Sequence, residues 1–195
     1  MDEIYIKKIE QLEKGLDKFD TIKEFLKDEK YQNDIIEFLE NNFEKIQQDN
    51  IKSYALKLVH IKGFDKAVPF LLDAFKKSND NKSDYKWRIG NALETIGTKN
   101  IDYINEMKKI VLDKQHGSSR EMMVLALGKS KNETIISTLI NLLNDETIYQ
   151  HVLIALSKFG KPELRQYFER FLNHEKSNIR YNAKKAIEKI DKQSK

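Results

Sequence analysis

No cysteine occurs among the 195 residues. That single absence removes disulfides, thiolate metal sites and cysteine nucleophiles together. Proline occurs twice and glycine seven times, too few punctuating residues for an all-β fold with its frequent tight turns. No window approaches the roughly 18 consecutive apolar residues of a membrane span. The opening stretch MDEIYIKKIEQLEKGLDKFD is charged throughout and lacks the apolar run of a secretory signal. A cytoplasmic chain with no membrane partner is the expectation.

What is present is charge and helix-forming residues. Charged side chains make up 34% of the chain and hydrophobic ones 39%, with a net charge of +4. That net charge is too small to imply a polyanionic partner, but it is unevenly spread. Residues 1–48 carry 8 Lys and Arg against 13 Asp and Glu, a balance of −5, whereas residues 158–195 carry 11 against 5, a balance of +6. Laid out linearly, such a chain has an acidic end and a basic end.

The strongest signal is internal repetition. DYKWRIGNALETIG, SSREMMVLALGKS, TIYQHVLIALSKFG and NIRYNAKKAIEKI align without gaps on Ala92, Ala126, Ala155 and Ala186, which are separated by 34, 29 and 31 residues. Asp84, Ser118, Thr147 and Asn178 stand eight positions before these anchors, each with an oxygen suited to capping a helix start. A weaker copy, DNIKSYALKLVHIKG, places Asp49 in that role. A second amphipathic run follows a break after each of the first four copies, as in FDKAVPFLLDAF and NETIISTLINLL, with Gly63, Gly97, Gly160 and Pro162 at the breaks. The unit is a helix–turn–helix that cannot bury its apolar faces alone and must stack on its neighbours.

The pattern in AVPFLLDAF, LNDETIYQHVLIALSKFG and LNHEKSNIRYNAKKAIEKI resembles the short HEAT repeat, of the kind also called phycobiliprotein-lyase-type, over about residues 50–191. The resemblance implies an all-α fold: an α-solenoid of HEAT-like repeats in a right-handed superhelical stack. It departs from the pattern where Tyr149 and Lys86 replace an expected arginine, in register with Arg120 and Arg180, and where larger residues in MMVLAL and HVLIAL replace the small-residue face. The expected organisation is one solenoid domain over residues 1–195. Residues 1–48 form an atypical acidic cap of about three helices (near 3–15, 20–29 and 33–47), and 49–191 supply about five units ending in a C-terminal cap helix. In that last helix Ile179, Ala183, Ala186, Ile187 and Ile190 make the buried stripe.

Chemistry-bearing motifs are scarce. His60, His116, His151 and His174 fall in separate segments, and HEKSN lacks the second histidine of H-E-x-x-H. Helical-repeat di-iron hydroxylases use several His-Glu dyads, and this chain has the single dyad His174-Glu175. GTKNID and GKPELR lack phosphate-loop spacing, and no serine sits in a G-x-S-x-G elbow. No catalytic residue, metal site or cofactor is therefore expected. The reading is a non-enzymatic scaffold that binds a protein or peptide on its concave face, with an inhibitor or immunity-type protein as a specific form. That face is expected on the repeated helices at Trp87, Arg88, Asn91, Met122, Leu125, His151, Ile154, Tyr181 and Lys185, residue types that include several enriched in interface hot spots. The alternative partner is nucleic acid, drawn from the basic C-terminal region and including a DNA-glycosylase-like reading of DYKWR.

Overall fold

The computed structural model describes residues 2–78 and 84–193, which contain helices and turns and no strand. The N-terminal helices are α1 (Glu3–Leu16), the single turn α2 (Ile22–Phe25) and α3 (Glu29–Asn42), followed by a 3-10 turn, Phe43–Lys45. Then come α4 (Asp49–Ala55), α5 (Val68–Lys77), α6 (Asp84–Ile96), α7 (Ile101–Leu112) and α8 (Glu121–Ser130). The chain continues through α9 (Ile136–Leu142), α10 (Tyr149–Ser157), α11 (Arg165–Glu169) and α12 (Ser177–Gln193).

The fold is an all-α solenoid. Four antiparallel pairs, α5–α6, α7–α8, α9–α10 and α11–α12, follow one another, and their second helices stack α6 on α8, α8 on α10 and α10 on α12. At the near end α4 lies against α6, α1 packs on α4, and α3 packs on α5. One apolar core runs unbroken from Ile9 to Ile190. The buried set of α12 is Ile179, Ala183, Ala186, Ile187 and Ile190, the stripe that the helical period prescribes.

Small residues set the spacing of the second-helix layer. A Cβ on Gly90 would stand 2.9 Å from Met122 Cβ, and one on Gly128 would stand 2.7 Å from both Cα and Cβ of Ala155. The backbones of α6, α8 and α10 therefore approach more closely than any side chain at those positions permits. The apolar, weakly amphipathic sequences of α8 and α10 follow from this position: each is covered before, behind and beside. Met123, Val124, Leu127, Val152, Leu153 and Leu156 are all buried.

The helix starts differ from expectation. Ser118 lies in a 3-10 stretch, Lys114–Arg120, and α8 begins only at Glu121. Thr147 precedes α10 by two residues, Asn178 lies inside α12, and Asp49 is the first residue of α4 rather than its cap. The side chain of Asp84 lies outside the described residues. The cause is backbone geometry: these turns bring main-chain carbonyls onto the orphan amides, as when the Ile148 and Tyr149 N–H groups both donate to the Asp145 carbonyl at 3.1 and 2.9 Å. Side-chain caps stand instead at the first helices: Asn100 accepts from the Asp102 amide at 2.9 Å, and Asn132 from the Thr134 amide at 3.0 Å.

Candidate functional site

Register with the anchor alanines sorts the second helices into rows. Trp87, Glu121, Gln150 and Tyr181 form one row, Arg88, Met122, His151 and Asn182 the next, and Asn91, Leu125, Ile154 and Lys185 a third. Because consecutive second helices touch, each row crosses the stack as a band of neighbours. None of the nine residues expected at a binding face is fully buried. Trp87 and Tyr181 are 38% and 60% exposed. Arg88 and Lys185 are exposed, and Asn91, Met122, Leu125, His151 and Ile154 are half-buried. The centre of the band is apolar and its ends are aromatic and basic.

Polar contacts on the band are few. His151 Nδ1 is shielded from solvent and makes no hydrogen bond among the described residues. Its ion-pair neighbour is Glu121 Oε1, 3.7 Å away on α8. Arg88 and Asn91 border a narrow cleft with Ser53, Leu56, Lys57 and His60, where burial and then the Arg88 charge push the His60 imidazole below its ordinary value. On α12, Lys185 pairs with Glu188 at 3.1 Å and lies 5.7 Å from the Tyr181 ring centre. Among the described residues no group of three His, Asp or Glu side chains gathers as a metal site.

A fourth row, six residues before the anchors, holds Lys86, Arg120, Tyr149 and Arg180. Lys86 is fully buried and donates to the Ser78 carbonyl and to His116 Nδ1, each at 3.0 Å, with its ammonium 4.8 Å from the Phe75 ring centre. Arg120, 1% exposed, donates to the Gly117 carbonyl at 2.8 Å and the Val111 carbonyl at 2.9 Å. Its remaining arm meets Asp145 Oδ2 of the following unit at 2.9 Å. Burial alone would raise the Asp145 carboxyl, but the Arg120 guanidinium and the Thr147 N–H outweigh it and hold it below its ordinary value. Arg180 donates to the His174 and Glu175 carbonyls, both at 2.7 Å. Lys86 and Arg120 thus tie the turn inside a unit to the next one, whereas the exposed Arg180 bonds only the turn of its own unit.

Residues 104–188 match the family model of HEAT repeats. That stretch of the chain is built of HEAT repeats. HEAT repeats are generally protein-interaction scaffolds, and the family is typically non-enzymatic. No curated protein matches the chain. Among the described residues no helix is long and apolar enough to cross a membrane. The second helices α6, α8, α10 and α12 thus form one stacked layer, of which α8 and α10 lie within the matched residues.

Proposed function

We propose that the open side of α6, α8, α10 and α12 binds a segment of a partner protein, and that the chain acts without catalysis, as a scaffold or as an inhibitor of immunity type. The observation that carries this reading is the partial exposure of Met122 and Leu125 on α8 and of Ile154 on the adjoining α10, between Trp87 on α6 and Tyr181 on α12. The close approach of the second helices at Gly90 and Gly128 supports this reading, since a stack bends toward its closer-spaced layer. An amphipathic helix of the partner fits such a floor, with apolar anchors in the middle and polar groups at the rim.

Photo-crosslinking residues at 125 and 154 test it, with position 172 on the α11 side as reference. One partner protein captured from both concave positions, and lost with Trp87→Ala, is the expected result. Equal capture from position 172 refutes the reading.

The basic end favours nucleic acid less. Arg180 and Lys189 both donate to backbone carbonyls, Lys189 to those of Ser157 and Lys158 at 2.8 and 3.0 Å. Arg165 pairs with Glu169 and Asp191.

A further inference from the structure

The row that carries Lys86, Arg120 and Arg180 is interrupted at Tyr149. In Leu143-Asn144-Asp145 and Leu172-Asn173-His174, His174 takes the place of Asp145. The ion pair of Arg120 with Asp145 in one unit is therefore replaced in the next by a hydrogen bond between two rings, Tyr149 Oη and His174 Nε2 at 3.2 Å. Arg120 and Asp145 are enclosed, with side chains 1% and 9% exposed. Beside Tyr149 and His174 a cleft of about 530 Å3 opens.

One wall of this cleft is aromatic. Tyr149 and Phe171 lie nearly parallel, their planes 14° apart and ring centres 6.0 Å apart, and His174 completes the wall at 5.7 Å from Tyr149. The rim carries the carboxylates Glu146 and Glu175 against one ammonium, Lys176. Neither carboxylate forms an ion pair among the described residues. Aromatic faces with adjacent carboxylates are the surroundings that hold a guanidinium or ammonium group. The same chain shows it internally, where the buried Lys86 ammonium lies on Phe75 and hydrogen-bonds His116.

We infer that the Tyr149–Phe171–His174 cleft is a cation-binding site that accepts in trans the guanidinium that the repeat supplies in cis at Arg120. The ligand is an arginine side chain of a partner or a free guanidine compound. This site is at the helix starts, apart from the Met122–Ile154 band, and stands whether or not that band binds a partner.

The test is titration of the full chain with a capped Gly-Gly-Arg-Gly-Gly peptide, the same peptide carrying citrulline, and agmatine, followed by NMR of the Tyr149, Phe171 and His174 rings and the Lys176 amide. The arginine peptide is expected to shift these signals with a dissociation constant in the millimolar range, and citrulline to leave them in place. Stronger binding of the peptide than of agmatine identifies a protein source, and the reverse a free guanidine; either supports the site. Glu175→Gln, on a surface residue, should weaken binding about three- to tenfold. Tyr149→Arg should abolish it by filling the cleft from within. Equal shifts with citrulline, no shift with either guanidinium probe, or unchanged affinity in Glu175→Gln would overturn the inference.

Discussion

At the scale of single residues, a left-handed backbone position shows where sequence and geometry disagree. Gly97 and Gly160 follow α6 and α10 at φ of 67° and 65°, five residues after their anchors, and in α8 the same position is Lys131 at 54°. Glycine adopts this conformation freely, whereas a residue with a Cβ is strained there by about 1 kcal/mol. Lys131→Gly should therefore raise stability by about 0.5–1 kcal/mol in denaturant unfolding, without changing the slope. His116 provides a second test. Burial, then the neighbouring Lys86 charge, lower its imidazole below the ordinary 6.5, with Asp113 opposing them. The unfolded chain then takes up the proton first, so this contribution is complete above about pH 6.5 and fades as pH falls through the window down to the lowered folded value. His60, lowered by burial and Arg88, adds to the same slope. In melting-temperature profiles from pH 7.5 to 5, His116→Gln should flatten the decline in part, leaving the share of His60. An unchanged profile would mean that the Lys86–His116 contact contributes nothing to it.

At the scale of elements, the contacts of Gly128 decide more than its helix propensity. Alanine in place of a mid-helix glycine ordinarily gains up to about 1 kcal/mol. Here the added methyl would meet Ala155 at 2.7 Å, backbone included, so α8 and α10 must separate. Gly128→Ala should lower stability by about 1–3 kcal/mol, the usual range for overpacking, while far-UV circular dichroism stays helical. A stabilised variant would show that the second-helix layer is loosely spaced. The helix identities and the α12 stripe were legible because each rests on a period within one segment. The starts of α8 and α10 were not, because Ser118 falls in a 3-10 stretch and the turn at Thr147 is bonded by Asp145, through its carbonyl to the Tyr149 amide and its carboxylate to the Thr147 amide.

At the scale of the molecule, at least four of the eleven cations behind the balance of +6 over residues 158–195 are held by partners within the chain. Lys185 is spent on Glu188, Arg165 on Glu169 and Asp191, and Arg180 and Lys189 on carbonyls. Duplex DNA and RNA should consequently bind weakly and with a shallow salt dependence. A log–log slope worth several phosphate contacts, at about −0.9 for each, would restore nucleic acid as the partner. None of the nine expected face residues is fully buried, because register with Ala92, Ala126, Ala155 and Ala186 already kept them off the buried stripe.

By itself the sequence determined the repeat, the helical class and the buried stripes, all consequences of short-range periodicity. Only the tertiary structure decided that Lys86 and Arg120 are interior, that Gly90 and Gly128 set the helix spacing, and that Tyr149 leaves a cleft where its counterparts make a strut. Those properties depend on partners in the neighbouring unit, such as Asp145 for Arg120 at 25 residues' separation. No local pattern encodes a partner that distant until the units are stacked.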